Sequence, residues 1–265
     1  MRALTFTMLL PVWSLWVREV LRFVRQRSRI IGALGTPLLF WVLLGSGFGR
    51  SLRPPGMALE LNYLSYFFPG TVLLVVLFTA IFASISVIED RNAGFLQGVL
   101  VAPVSRLSIV LGKVLGGATL GFVQGVLLLV LAPLTGVAAG WAGFAAACGI
   151  ILLTALALST LGFLLAWRTD SVQGFHAVMN LLLFPMWLLS GAFFPAGGAA
   201  LWVQVVMWVN PLSYGLGALR RVLYPAAVAD QLGDPALLTS LLVLLGFTVV
   251  LLALAVRAAR RATRR

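Results

Sequence analysis

Charge is scarce in this chain: Asp, Glu, Lys and Arg make up 10% of its 265 residues. A soluble globule of that length needs a solvated shell that so few charges cannot build. Histidine and cysteine occur once each, as His176 and Cys148. That excludes an intramolecular disulfide and a metal site built from several histidines or cysteines of this chain, and Cys148 reads as a small packing residue. The phosphate-binding pattern Gly-x-x-x-x-Gly-Lys-Ser/Thr, whose backbone N–H groups wrap a nucleotide, is also missing. Gly112-Lys113 is followed by Val114 and lacks the earlier glycine. The chain is therefore expected to hold no ATP site and no cofactor of its own. A membrane-embedded enzyme would need paired carboxylates, a metal site or an activated nucleophile gathered in one place, and no stretch gathers them.

Long apolar runs are abundant instead, in a chain that is 61% hydrophobic. Five stretches carry no Asp, Glu, Lys or Arg: 30–49 with 20 residues, 61–88 with 28, 114–167 with 54, 171–219 with 49 and 235–256 with 22. A helix crossing the ~30 Å hydrocarbon core needs ~20 mainly apolar residues, because its backbone must satisfy its own hydrogen bonds there. The longest run divides at Pro133-Leu134-Thr135-Gly136 through Gly140, a turn-forming cluster that separates spans at 107–132 and 142–167. In the 49-residue run a span fits 172–191, and Phe193-Phe194-Pro195-Ala196-Gly197-Gly198 then interrupts it. The apolar piece 199–209 is too short to cross and reads as re-entrant or interfacial. The expected fold is all-α and integral to the membrane, with six transmembrane helices in a single domain over 30–265.

Basic residues near span ends favour the cytoplasmic side. With six spans both termini share a side, and that side collects 15 of the 19 Lys and Arg, leaving Arg50, Arg53, Arg220 and Arg221 opposite. Both termini are thus expected in the cytoplasm. The net charge of +12 reads as topology plus attraction to anionic lipid headgroups. No basic face interleaved with aromatics is present, so nucleic acid is not expected as a partner.

Residues 1–29 form the other expected unit, an interfacial amphipathic helix on the cytoplasmic side. Over 11–29 it places Trp13, Trp16, Val17, Val20 and Val24 on one face and Ser14, Arg18, Arg22, Arg25 and Arg29 on the other, the arginines turned toward phosphate. A cleaved leader is the competing reading, but the apolar stretch runs into an arginine cluster with no small-x-small cleavage site.

Between the second and third spans, residues 89–106 exceed what two antiparallel helices need to connect. The segment predicts a short amphipathic helix, capped by Asp90 or Asn92 and ended by Pro103, and a docking surface. A charged turn that merely holds the register of two helices is the plainer alternative. Glu89, Arg91, Gly94, Pro103, Ser105, Gly112 and Lys113 follow a spacing that resembles the permease subunits of type-2 ATP-binding-cassette (ABC) exporters. A second block, Leu189-Ser190-Gly191-Ala192-Phe193-Phe194-Pro195 followed by Asn210-Pro211-Leu212-Ser213-Tyr214 and Arg220, is similar to the same family. The likeness covers nearly the whole chain, and Phe95 departs from it where family members usually carry Thr.

The resemblance implies a multi-pass protein of the bacterial inner membrane in which two copies, taken as a homodimer, face a central pathway. It implies that the coupling loop 89–106, with Glu89, Arg91, Gly94, Pro103 and Ser105, docks on a cytoplasmic ATPase present in two copies, which binds the ATP and Mg. It also implies that 193–210 forms short re-entrant helices on the outer face, with Phe193, Phe194, Pro195, Asn210 and Pro211 as a gate. The function it points to is the permease of an ATP-driven exporter of the multidrug and antibiotic-resistance branch, moving amphipathic drugs or lipids by alternating access. A lipid-linked polysaccharide exporter of the same family is the alternative.

From the residues themselves, a transporter driven by an ion gradient is the rival class. Such proteins place ionisable groups within their spans, where this chain offers only His176, near the cytoplasmic end of the fifth span. On that span Gln173, His176, Asn180, Phe184 and Trp187 recur at three- and four-residue spacing, which predicts one face that either lines the pathway or hydrogen-bonds to neighbouring helices. Phe78 and Phe82 add an aromatic pair on the second span, and an apolar, aromatic route suits amphipathic solutes. Gly117, Gly121 and Gly125 predict close helix packing within the subunit.

Overall fold

In a computed structural model, the structure describes residues 2–48, 62–137 and 139–261. Gly49, Arg50, Arg53, Arg264 and Arg265, which enter the topology reading, lie outside these. Helix accounts for 87% of the structure, and no strand occurs among the described residues. The chain runs through α1 (Arg2–Arg25), α2 (Arg27–Phe48), α3 (Tyr63–Asn92), α4 (Phe95–Val101), α5 (Arg106–Leu129) and α6 (Trp141–Arg168). It continues through α7 (Val172–Val178), α8 (Phe184–Trp187), α9 (Leu201–Val209), α10 (Pro211–Leu223), α11 (Ala226–Gln231) and α12 (Leu237–Arg261). Six segments are long and apolar enough to cross a membrane: α2, α3, α5, α6, the composite helix Val172–Ala192, and α12. The apolar part of each falls on a charge-free stretch, where a helix can meet hydrocarbon on most sides, while α3 and α5 extend past theirs through Glu89–Arg91 and Arg106–Lys113.

The second of these, α3, is the axis of the bundle. In its most apolar window 89% of residues are buried, against 17% in α12. Between Ser65 and Ile88 only Phe78 and Phe82 escape full burial. Glycines on α5 set how closely the neighbours approach. A Cβ on Gly112 would stand 2.6 Å from Leu15 Cβ, and one on Gly116 2.6 Å from Glu19 Cβ, so this stripe admits α1. The stripe of Gly117, Gly121 and Gly125 packs on Ala83 and Val76 of α3 and on Ser159, Ala155 and Ile151 of α6. Removing the side chain lets backbones meet at this range.

Three boundaries differ from expectation for physical reasons. α3 runs through Glu89, Asp90 and Arg91 to Asn92, because the first break is Gly94, whose φ of +74° suits glycine. Asp90 and Asn92 therefore end α3 and do not cap α4, whose cap position is Gly94. The fifth span contains π turns at Met179–Leu183 and Leu188–Ala192. The expected re-entrant stretch 193–210 does not end the excursion: Asn210 caps a further helix, α10, its Oδ1 accepting from Leu212 N at 3.0 Å, with Pro211 in the first turn. α10 packs against α3 and α6, where a Cβ on Gly215 would stand 3.2 Å from Thr154 Oγ1 and 3.7 Å from Leu73 Cδ1.

Candidate functional site

The end of the bundle that carries α4 is built on charge. Asp90, 1% exposed, accepts from Arg18 at 2.6 and 2.7 Å, from Arg22 at 2.8 Å and from Lys113. Lys113 Nζ also donates to Glu19 Oε1 at 2.5 Å and Ser86 Oγ at 3.3 Å, which uses all three ammonium hydrogens. Glu89 meets Arg22 at 3.1 Å and pairs with Arg29. The cluster thus ties α1 and α2 to the ends of α3 and α5. A buried charge is tolerated only when paired and hydrogen-bonded, and here each has several partners. The hydrogen bond to Asp90 holds the Arg18 guanidinium above its ordinary value, against the opposing effect of burial. The expectation that these arginines turn toward phosphate is corrected for Arg18, Arg22 and Arg29, which turn onto carboxylates of α3.

Arg91 faces the other way and donates to the carbonyls of Ala166, Trp167 and Thr169 at 3.1, 2.7 and 2.9 Å, closing the last turn of α6. Glu89 and Arg91, expected on the docking surface, are thus engaged inside the subunit.

α4 itself is two-faced. Leu96 joins a small core with Leu15 and Ile109, flanked by Val99, Leu100, Val104 and Trp167. Phe95, Gln97, Gly98 and Val101 lie exposed on its other side, Val101 at 89%. Arg106 donates to Leu100 O at 2.9 Å and so caps α4. Ser105 caps α5, its Oγ accepting from Ser108 N at 3.0 Å, and Pro103 is exposed on the connecting turn. Phe95, the departure from the family pattern, has a defined place: the Arg18 guanidinium lies 3.6 Å from its ring centroid.

Further along the bundle, the rings of Phe78 and Phe82 stack at 5.8 Å, and His176 approaches Phe82 at 6.3 Å. Gln173 and Asn180 are exposed beside them, and Phe184 is 39% exposed. Phe78, Phe82 and His176 thus stand together at the one gap in α3's burial between Ser65 and Ile88. Trp187 does not share it. Its indole donates to Gly70 O at 2.8 Å and its ring packs against Phe67, so the side chain is 2% exposed. Its ring also meets Phe184 at 5.8 Å, and the π turn at 179–183, which adds about one residue to a turn, shifts both of them relative to Asn180.

At the opposite end, α10 meets the broken end of the fifth span. Arg220, 1% exposed, donates to Gly191 O at 3.0 Å and Asp234 Oδ1 at 3.3 Å, with Tyr66 stacked 4.4 Å from its guanidinium carbon. Tyr66 donates to the same Gly191 carbonyl at 2.8 Å. Gly191 itself has a φ of +92°, which favours glycine. Asn210 Nδ2 donates to Met186 O and Leu189 O at 2.5 and 3.1 Å, carbonyls that the π turn leaves short of helical partners. Phe193 packs edge-on against Phe67 at 5.8 Å, and its carbonyl accepts from Tyr63 at 3.2 Å. Phe194 is half-buried, while Pro195 is buried and opens the turn Ala196–Gly198. A cavity of about 170 Å³ lined by Ser190, Met207, Trp208, Tyr214 and Asp234 lies beside them. Burial pushes the Asp234 carboxyl above its ordinary range, with Arg220 and Arg221 pulling the other way. For Arg220 burial opposes the charge, and the interactions with Tyr66 and Asp234 outweigh it, so its value is raised.

Sequence reasoning missed both ion clusters as clusters. Arginines at 18, 22, 25 and 29 opposite the adjacent acids Glu89 and Asp90 were the available signal for the first. Asp234, the second partner of Arg220, sits 14 residues along the chain and gave no periodic signal.

Six membrane-length helices, a two-faced helix projecting at one end and a broken hairpin folded into the other define a multi-pass membrane protein. The chain belongs to the ABC-2 type transporter family, which it matches over residues 11–224. It is 26% identical to the "Putative transport permease ycf38" of Cyanophora paradoxa over 82% of this chain and 75% of that protein. It is 26% identical to "Nodulation protein J" of Rhizobium leguminosarum bv. trifolii over 82% of both chains. It is 28% identical to the "Linearmycin resistance permease protein LnrN" of Bacillus subtilis over 62% of this chain and 43% of that protein.

Proposed function

We propose that this permease is the membrane subunit of an ATP-driven exporter that moves amphipathic drugs or lipids out of the cytoplasm or the inner leaflet of the bacterial inner membrane. Two identical copies face each other, both termini lie in the cytoplasm, and each copy docks one ATPase subunit that binds the ATP and Mg. The observation that carries the reading is α4, a helix anchored on one side by Leu96 and presenting Phe95, Gln97, Gly98 and Val101 on the other. Phe95 is shared with Arg18, whereas Gln97, Gly98 and Val101 have no role in the fold of one chain, and a partner subunit would cover them. Glu89 and Arg91 then act behind this surface, holding α3 to α1 and to α6. Movement of α4 reaches α1 through Arg18 and α3 through Asp90. The window of Phe78, Phe82, His176, Gln173, Asn180 and Phe184 faces the second copy and the solute, with Trp187 supporting it from behind.

Two of the similar proteins favour drugs as the solute. One is named a linearmycin resistance permease, and another, from Escherichia coli, a probable multidrug ABC transporter permease. The test is to purify the chain from its native membranes, assay ATPase in what accompanies it, and repeat with the exposed face of α4 altered. An ATPase whose activity depends on Gln97 and Val101 supports the proposal. A chain that purifies alone and moves solute under a proton or sodium gradient overturns it.

A further inference from the structure

Helix α1 has two faces of opposite use. Leu15, Glu19 and Phe23 are buried against the bundle. On the other face Ser14, Val17, Arg18, Leu21, Arg22 and Arg25 recur at three- and four-residue spacing and line, with Gln26, a groove of about 570 Å³. The groove sits at the elbow where α1 gives way to α2. We infer that it binds the phosphate headgroup of an anionic phospholipid.

Three observations converge on that ligand. The first is charge. Arg18 and Arg22 give part of their hydrogen-bonding capacity to Asp90 and Glu89. Arg25 is exposed and has no carboxylate partner among the described residues. A guanidinium carries five N–H donors in a fork that matches a phosphate, so the groove keeps donors to offer.

The second is the apolar rim. Leu21 and Val24 are 50% and 55% exposed, and Trp13 61%. Trp13 stands on the adjoining apolar face of the same helix, and an exposed tryptophan on an arginine-bearing helix matches the headgroup level of a bilayer. The third is continuity with a lipid-facing span. α2 starts one residue past Gln26, and only 22% of its most apolar window is buried. Ile31, Leu39 and Leu43 stand 63–69% exposed along it. A phosphate held by the arginines leaves the acyl chains of the same molecule to run along α2. Free phosphate would use the first feature and neither of the others.

Arg25 is the residue to change, because Arg18 and Arg22 also hold α3. The full-length chain is reconstituted in nanodiscs of phosphatidylcholine with a minor share of phosphatidylglycerol, and the lipids that stay bound are counted by native mass spectrometry. The wild type should retain phosphatidylglycerol in preference to phosphatidylcholine. Arg25→Gln should reduce that preference about fivefold, the scale of one arginine near an anionic headgroup. Leu21→Asn should reduce it as well, while Arg260→Gln, at an exposed arginine of the carboxyl-terminal helix, should not. Equal loss with Arg25→Gln and Arg260→Gln, or no preference in the wild type, would leave only diffuse attraction and overturn the site. Displacement of phosphatidylglycerol by millimolar inorganic phosphate together with indifference to Leu21→Asn would make the groove a simple anion site and overturn the lipid assignment. Thermal unfolding of each variant checks that it is folded. The readout needs no ATPase, so its failure leaves the proposed function standing.

Discussion

Lys113 on α5 and Asp90 on α3 form an ion pair closed to solvent, with side chains 3% and 1% exposed. Glu19 of α1 shares the same ammonium at 2.5 Å, so one lysine bridges carboxylates from two other helices. The pair stands at the end of the bundle where α3 leads into α4.

Replacing Lys113 by Met should be costly because it takes from buried Glu19 its hydrogen-bonding cation and leaves Asp90 to Arg18 and Arg22 alone. Removing one partner of a buried pair costs about 3–5 kcal/mol. The check is thermal unfolding in detergent. Adding Glu19→Gln to Lys113→Met should recover part of the loss, and a double variant no more stable than the single one would show that Glu19 is not coupled to Lys113.

Val101→Asp places a charge on the exposed face of α4 without touching Leu96 or the ion cluster. ATPase activity of the assembled complex should fall at least tenfold, the effect of about 1.4 kcal/mol at an interface, with unchanged unfolding temperature. Glu89→Gln should do the reverse, lowering stability through its lost pairs with Arg22 and Arg29. Full ATPase activity in Val101→Asp would remove this face from the docking surface.

Trp187→Phe and Asn180→Ala separate packing from pathway. The first loses the hydrogen bond to Gly70 O and should cost about 1 kcal/mol of stability while leaving solute preference alone. The second sits on the exposed window, with Phe78 and Phe82, and should shift the ranking of transported solutes at constant stability. Resistance profiles of cells expressing each variant, read beside melting curves, decide the matter.

Asp234 gives a pH dependence with a definite sign. Burial holds its carboxyl above the ordinary range in the fold, so its contribution to stability is complete below the unfolded value, about 4. It is lost as pH rises through the raised folded value. The melting temperature of the wild type relative to Asp234→Asn should therefore be highest near pH ~4 and shrink toward neutrality. A difference that does not vary with pH would place the folded carboxyl at its ordinary value.

The six spans were legible because hydrocarbon imposes a length and a composition, and both are local properties of 30–49, 61–88 and the other charge-free runs. α4 was legible as a helix because Pro103 ends it, while its start was placed at Asp90 or Asn92 and not at the Gly94 break. What could not be seen were partners far apart in the chain. Glu19 and Lys113 are 94 positions apart, and Tyr66 lies 125 from the Gly191 carbonyl it binds. Such pairs depend on which helices become neighbours, and α5's glycines, not its polar residues, decide that. The row Gln173, His176, Asn180, Phe184 and Trp187 does not keep a single phase, for a different reason. Periodicity assumes 3.6 residues per turn, and the π turns depart from it. α10 was missed because Gly215, Gly217 and Arg220 make it look like a loop, and its helicity rests on the Asn210 cap and on neighbours that accept glycine faces.

The carbonyl of Gly191 accepts from Tyr66 and Arg220 together, one donor from the bundle's axis and one from the hairpin folded against it. Moving α10 away leaves Tyr66 on the carbonyl, and moving α3 away leaves Arg220 there, so the broken end of the fifth span keeps one anchor whenever the other is lost, like a hinge with two pins.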